Sequence, residues 1–280
     1  MASIEITEKG FYTTIQDSGR LGYGALGIPE SGAMDQDALN LSNLLLNNHK
    51  NAAALECTLV GPTITFLKDI AFVLTGAISD VTLDGQAIQR NQVLIGKKSS
   101  VLKVGKVLQG CRVYVGLDGG IETQEVLGSK SLFFPVTPQG SLSMGMQIPT
   151  GRPKYGDTKG VHLSTKNTAL NQQQIKVSKG PEYDFLSSKG LRNLMEKSYT
   201  ITSWNRMGIA LDALIQPHEL KTSTGPVLPG TVQLTPSGRL YVLMRDCQTT
   251  GGYPRILQLT KEAINILSQK KTADRIGLVI

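Results

Sequence analysis

Residues 64–117, ITFLKDIAFVLTGAISDVTLDGQAIQRNQVLIGKKSSVLKVGKVLQGCRVYVGL, decide the fold class. β-Prone runs recur at Ile64–Phe66, Ala71–Leu74, Val81–Leu83, Val93–Ile95, Val101–Val104 and Arg112–Leu117, with turn residues between them. Asp84-Gly85 is a hairpin signal, preceded by Val81 and Leu83 on one face. Six short strands in about 60 residues, with no helix between them, argue against βαβ units and for a barrel or sandwich.

The flanks agree. Upstream, Ile4 and Ile6 alternate with polar residues, and Phe11–Ile15 is a second strand. Gln16–Met34 carries Gly19, Gly22, Gly24, Gly27 and Gly32 and reads as a long ordered loop. Asp35 can cap a helix whose apolar stripe is Ala38, Leu41, Leu44 and Leu45, stopped by Asn47-Asn48. Downstream, Gly128–Gly160 is rich in Gly and Pro. A second unit is expected from about Gln172, with strands at Ile175–Val177, Tyr199–Ile201, Thr231–Leu234, Arg239–Met244 and Ile276–Ile280. Helical stretches are expected from Gly180-Pro181 to Lys197 and over Lys261–Gln269. The expected division is 1–170 and 171–280, two β-rich domains, with the boundary approximate and open to being discontinuous.

Composition bounds the function. A folded chain of 280 residues buries roughly 73% of its surface, so it needs no disulfide or structural metal. The apolar share of 40% and charged share of 18% exclude general disorder. The longest nearly apolar run, Ile70–Ala77, is far short of the ~20 residues of a membrane helix. The N-terminus does not read as a signal peptide, and three scattered cysteines suit a cytoplasmic protein with reduced thiols. The net charge of +7 is uneven: residues 1–150 carry −2 and residues 151–280 carry +9. The second half should therefore favour an anionic ligand or acidic partner, unless it is merely a solvated basic face. No basic–aromatic cluster points to nucleic acid.

Several motifs fail on context. Gly22-Tyr-Gly24-Ala-Leu-Gly27 matches a dinucleotide fingerprint in letters, but Pro29 and Gly32 follow where a helix should. Gly96-Lys97 lacks the upstream glycine of a phosphate loop. His49, His162 and His218 are isolated, as are Cys57, Cys111 and Cys247, so no metal site is expected. Cys247 is the best candidate for a reactive thiol, against ordinary burial as a small apolar residue.

Two polar clusters remain. The first is Thr13–Arg20 with Ser31–Asp35. Gln16 and Asp17 can present hydrogen-bonding groups there and Arg20 a planar anion clamp, or Asp17 and Arg20 can simply pin the loop. The second, Arg245–Pro254, follows an apolar strand. Asp246 could accept a substrate N–H, Gln248, Thr249 and Thr250 could donate to a carboxylate or carbonyl, and Tyr253 could stack. A structural turn is the alternative. Arg206, in Ser203–Gly208, could bind an anion or a local carboxylate, and Gln233 could point into a lumen.

The strings TTIQDSGRLGYGALGIPESGAMD, ALECTLVGP, GSKS, NRMG, PGTVQL and DCQTTGGYP, in this order, resemble the biotin-dependent carboxyltransferase-like family. That family is also called allophanate hydrolase subunit 2, the KipI-antagonist family or the 5-oxoprolinase C subunit. The resemblance covers essentially the whole chain. It implies a mainly β fold of two β-barrel-like domains, one cyclophilin-like, with a few short helices. Family motif positions fall on Thr14, Gln16, Asp17, Gly19, Arg20, Gly32, Met34, Asp35, Arg206, Gly208, Gln233, Asp246, Gln248, Thr249, Thr250, Gly251, Gly252 and Tyr253. The chain departs from the pattern at Gln139–Gln147, at Ala210, where relatives carry arginine, and at Thr272–Asp274.

The resemblance implies one component of an ATP-dependent 5-oxoprolinase that opens 5-oxo-L-proline to L-glutamate. Alone it would be inactive, needing a KipI-type partner and a LamB/YcsF-type partner from the same complex. ATP, with Mg²⁺, would serve the complex, and no biotin would be attached to this chain. Catalytic roles would fall to Asp17, Arg20, Arg206 and Asp246. Thr14, Gln16, Gln233, Gln248, Thr249, Thr250 and Tyr253 would contact substrate, and Gly19, Gly32, Gly208, Gly251 and Gly252 would shape the loops. All of this requires the two loops to face one cavity or a partner-completed cleft. The same resemblance leaves open a carboxyltransferase component of a urea carboxylase-type system and a non-enzymatic antagonist of a KipI-like kinase inhibitor.

Overall fold

A computed structural model describes residues 2–153, 168–186, 188–215 and 222–280. The chain divides into two compact units, Met1–Arg20 with Ser31–Asn167 and Leu21–Glu30 with Thr168–Ile280. The expected loop at Gln16–Met34 thus contributes to both.

The first unit is built from β1 (Ala2–Glu8), β2 (Tyr12–Gln16), α1 (Gln36–Leu45), β3 (Ala54–Thr58), β4 (Thr63–Phe66), β5 (Ile70–Leu83), β6 (Gln86–Ala87), β7 (Leu94–Gly96), β8 (Val101–Leu117) and β9 (Gln147–Pro149). These strands form one nine-stranded sheet ordered β2-β3-β8-β4-β1-β9, with β5 on β8 and β6 and β7 on β5. Sequence punctuation suggests six short strands over 64–117; the structure joins most of them into the long β5–β8 hairpin, paired from Phe72↔Leu117 to Leu83↔Leu102. The apparent breaks are bulges. Register shifts cluster between Gly76 and Val81, and Gly76 takes a φ of 86° that a side chain would resist. One end of β8 also pairs with β4 and the other with β3, which curls the sheet around its core. Ile4, Ile6, Phe66, Phe72, Val113 and Leu117 fill that core, and the Phe66 and Phe72 rings lie 5.2 Å apart.

As the sequence suggests, Asp35 caps α1, its carboxylate accepting from the Ala38 N–H at 3.1 Å. A buried network holds this cap in place. Tyr114 Oη accepts from the Asp35 N–H at 2.8 Å and donates to Glu56 at 2.7 Å. Glu56 also accepts from the Met34 N–H at 2.8 Å and faces Arg112 at 3.7 Å, both side chains only 1% exposed. Burial and the neighbouring carboxylates of Glu56 and Asp35 push the Tyr114 hydroxyl far above its usual range, so it serves as a neutral donor.

The second unit contains α2 (Thr168–Asn171), β10 (Gln174–Lys179), α3 (Ser188–Glu196), β11 (Ser198–Trp204), β12 (Gly208–Leu211), β13 (Gly225–Pro226), β14 (Thr231–Leu234), β15 (Leu240–Leu243), β16 (Thr250–Gly251), β17 (Arg255–Leu259), α4 (Lys261–Ser268) and β18 (Arg275–Val279). Seven strands close as β10-β17-β14-β15-β12-β11-β18. An odd ring cannot alternate direction throughout, and the parallel contact falls between β10 and β18. Closure removes the free edges that an open sheet would expose. Ile175, Ile201, Leu211, Val232, Val242 and Leu257 are buried in this barrel. Thr260 caps α4, which buries Ala263, Ile264 and Leu267. The protein is therefore mainly β, with a curled sheet, a closed barrel and short helices.

Candidate functional site

The first polar cluster lies at the end of β2. Asp17 Oδ1 accepts from the Gly19 N–H at 2.8 Å and from the Ser129 and Ser131 hydroxyls, both at 2.6 Å. Oδ2 accepts from the Lys130 N–H at 2.6 Å. Arg20, 1% exposed, donates to the Ser131 carbonyl at 2.6 Å and the Val126 carbonyl at 3.5 Å. Gln16 donates to Thr14 Oγ1 at 3.0 Å and to the Leu132 carbonyl at 3.2 Å. The loop is tight enough to dictate its glycines: a Cβ on Gly32 would lie 2.8 Å from the Gly19 nitrogen. These groups all pin one turn to residues 126–132.

In the second unit, Arg206 and Asp246 form a buried fork, Nε to Oδ2 at 2.7 Å and Nη2 to Oδ1 at 3.1 Å. The two loops are also joined by the Asp246 N–H donating to the Arg206 carbonyl at 2.9 Å. Gly208 packs where a Cβ would strike the Tyr241 ring. Gln233 is buried and reaches the Tyr253 carbonyl at 3.4 Å, holding the far side of the loop. A Cβ on Gly251 would lie 2.5 Å from the Gln233 amide nitrogen, so Gly251 fits this packing.

A groove of about 770 Å³ is lined by residues of Gly22–Glu30, by Thr224–Pro229 and by Cys247–Thr250. That volume lies in the range of small-ligand sites. One wall is the β13–β16 ribbon, paired as Pro226↔Thr250 and Gly225↔Gly251. Arg255 braces that wall. It donates to the Pro226 carbonyl at 3.0 Å while gripping Glu182 at 3.0 Å and 2.7 Å. The Arg255 hydrogen bonds hold the Glu182 carboxyl below its usual range.

Gln248, Thr249 and Thr250 line the groove, and among the described residues their side chains have no hydrogen-bonding partner. Tyr253 is 47% exposed and is not among the lining residues. Cys247 also lines the groove, but burial and the nearby Glu30 and Asp246 carboxylates push its thiol up to about 12. At neutral pH it is a neutral wall, not a nucleophile.

Sequence reasoning missed two groove elements. Glu30 sits inside a proline–serine stretch with no pattern around it. The other is the stretch 224–229, where Gly225, Pro226 and Pro229 suggest no more than a rigid turn ahead of the strand that carries Gln233. Among the described residues no three His, Cys, Asp or Glu side chains are grouped to hold a metal, and no helix is long and apolar enough to cross a membrane.

The second unit thus joins a closed barrel to a largely apolar groove with a polar stretch at Gln248–Thr250. The "Carboxyltransferase domain, subdomain A and B" family model matches residues 26–279, and the chain belongs to that family. It is 34% identical over 273 residues to the 5-oxoprolinase C subunit of Escherichia coli, covering 95% of this chain and 87% of the relative. It is also 42% identical over 132 residues to the Saccharomyces cerevisiae urea amidolyase, covering 47% of this chain and 7% of that protein. The Kluyveromyces lactis urea carboxylase structure superposes with a TM-score of 0.87 at 24% identity, covering 99% of this chain and 27% of that one. The chain spans little more than half, or less, of the solved chains it matches.

Proposed function

We propose that this protein is one component of a cytoplasmic, ATP-dependent 5-oxoprolinase complex that hydrolyses 5-oxo-L-proline to L-glutamate. Similarity along nearly the whole chain to a protein named as a 5-oxoprolinase component supports that place in a complex. The observation that carries the reading in geometry is the groove wall of Gln248, Thr249 and Thr250, whose side chains have no hydrogen-bonding partner among the described residues.

In this reading the lactam enters the groove and its carboxylate takes hydrogen bonds from those three side chains. The Arg206–Asp246 fork positions the wall. Direct catalytic use of Arg206 or Asp246 requires that fork to open toward substrate, and the same holds for Asp17 and Arg20 in their own turn. Opening a lactam is unfavourable without coupling. Transfer of the terminal phosphoryl group of ATP to the amide oxygen, with ADP leaving, would activate the ring carbonyl. Water attack with ring C–N cleavage and loss of phosphate would then give glutamate. The groove lining contains Glu30 but, among the described residues, no Lys or Arg, a donor set that does not fit a triphosphate. In this reading the KipI-type and LamB/YcsF-type partners hold the nucleotide and its Mg²⁺, and no biotin is attached to this chain.

Reconstitution with both partners tests this. The mixture should release glutamate from 5-oxoproline only with ATP and only when this chain is present. No release in the full mixture would end the proposal. The regional similarity to urea amidolyase supports a second reading, carboxyl transfer to a small amide. That reading expects turnover with carboxylated biotin instead.

A further inference from the structure

Three glycines line the groove along Leu21–Glu30, and one of them is unexplained by the chain. Gly22 and Gly27 have φ of 94° and 75°, which favours glycine at both. Gly24 is different. It opens a short 3-10 turn, Gly24–Leu26, is not among the positive-φ residues, and a Cβ built on it meets nothing within 4 Å. Neither backbone conformation nor packing asks for glycine there, although glycine costs more conformational entropy than alanine. Among the described residues, the space beside Gly24 is open, which leaves room for a ligand to lie against its backbone.

Glu30 adds the chemistry. Among the described residues it is the only charged side chain lining the groove, it is half-buried, and it has no hydrogen bond or ion pair. A carboxylate so placed accepts hydrogen bonds and repels anions. Gln248, Thr249 and Thr250 in the same lining offer donors. A ligand that meets both groups is polarised, with an N–H end and an acceptor end.

We propose that a small planar lactam lies against the Gly24 backbone with its ring N–H donated to Glu30, making Glu30 a specificity-determining residue. This rests on the groove being the substrate site, and the test separates the two ideas. The full chain is titrated by amide NMR with 2-pyrrolidinone and with N-methyl-2-pyrrolidinone, which lacks the N–H. The wild type should bind 2-pyrrolidinone with shifts at Gly24, Ala25, Thr249 and Thr250, and bind the N-methyl compound at least tenfold more weakly. Glu30→Ala should abolish that preference. Gly24→Ala should raise the unfolding midpoint slightly, as the lost chain entropy predicts, and weaken 2-pyrrolidinone at least tenfold.

Equal binding of both lactams by the wild type, or an unaltered preference in Glu30→Ala, overturns the Glu30 assignment. Unchanged affinity in Gly24→Ala overturns the backbone contact. A Thr249→Val variant assayed for turnover in the reconstituted complex tells these failures apart from failure of the groove itself. If that variant loses activity while the lactam experiments fail, the groove stands and this inference falls. If the variant is fully active and no lactam shifts the groove amides, both fall.

Discussion

The Asp17 turn and the Gln248–Thr250 wall are written in the same alphabet of Thr, Gln, Asp and Gly, yet the fold uses them oppositely. Asp17 accepts four hydrogen bonds from its own unit. The three wall residues commit their side chains to nothing among the described residues. A saturated polar cluster holds structure, because each buried group left unmatched would cost free energy. An unsaturated one that faces a groove is free to bind. Where the hydrogen bonds end, rather than which residues are present, separates glue from site.

The comparison breaks most forcefully at Asp17. Asp17→Ala strands the Ser129 and Ser131 hydroxyls and two backbone N–H groups, and should cost about 4 kcal/mol of stability. Urea unfolding of the isolated chain measures it. A loss below about 1 kcal/mol would mean that the cluster is not structural glue.

The next largest effect separates charge from packing. Arg206→Met alone leaves a buried, unpaired Asp246 and should cost roughly 3 kcal/mol, whereas Arg206→Met with Asp246→Leu should recover most of that loss. If the double variant is stable but inactive in the reconstituted complex, the fork positions the wall beyond simply holding the loops together.

The wall itself should show the reverse pattern. Thr249→Val and Gln248→Ala are expected within about 0.5 kcal/mol of wild-type stability, as surface changes usually are. In the reconstituted complex each should lower kcat/KM at least about tenfold, the equivalent of one lost hydrogen bond to a charged group. Full activity would move the substrate out of the groove.

Much of this was legible in the sequence, for identifiable reasons. Asp35 and Thr260 announce helix starts because capping is local chemistry, and alternation at Ile4 and Ile6 announces a strand. The long β5–β8 hairpin was hidden because Gly76 reads as a break when it is a bulge inside a continuous strand. Glu56 gave no signal, since a charge inside Leu55–Cys57 is intelligible only once Tyr114 and Arg112 arrive from β8. Both polar clusters were visible, but not their division of labour. Asp17 is filled by residues 129–131, more than a hundred positions away, and local composition cannot report so distant a partner. The groove wall of Leu21–Glu30 belongs to a unit whose remainder starts at Thr168, which no local pattern encodes.

The smallest expected effect tests the brace behind the wall. Arg255 holds the Glu182 carboxyl below its ordinary value of 4.5. A carboxylate with a lowered folded-state pKa stabilises the protein above its unfolded value, and that contribution fades as pH falls through the folded one. Glu182→Gln should therefore cost about 1 kcal/mol at pH 7, a modest figure because the pair is partly exposed to solvent. The difference between variant and wild type should shrink once the pH drops below about 4.5. Arg255 also donates to the Pro226 carbonyl, so the same variant should loosen the β13–β16 ribbon. Faster amide exchange at Thr250, paired in register with Pro226, would register that loosening. A stability difference that stays constant from about pH 7 to about pH 3 would show that Glu182 acts through its shape rather than its charge.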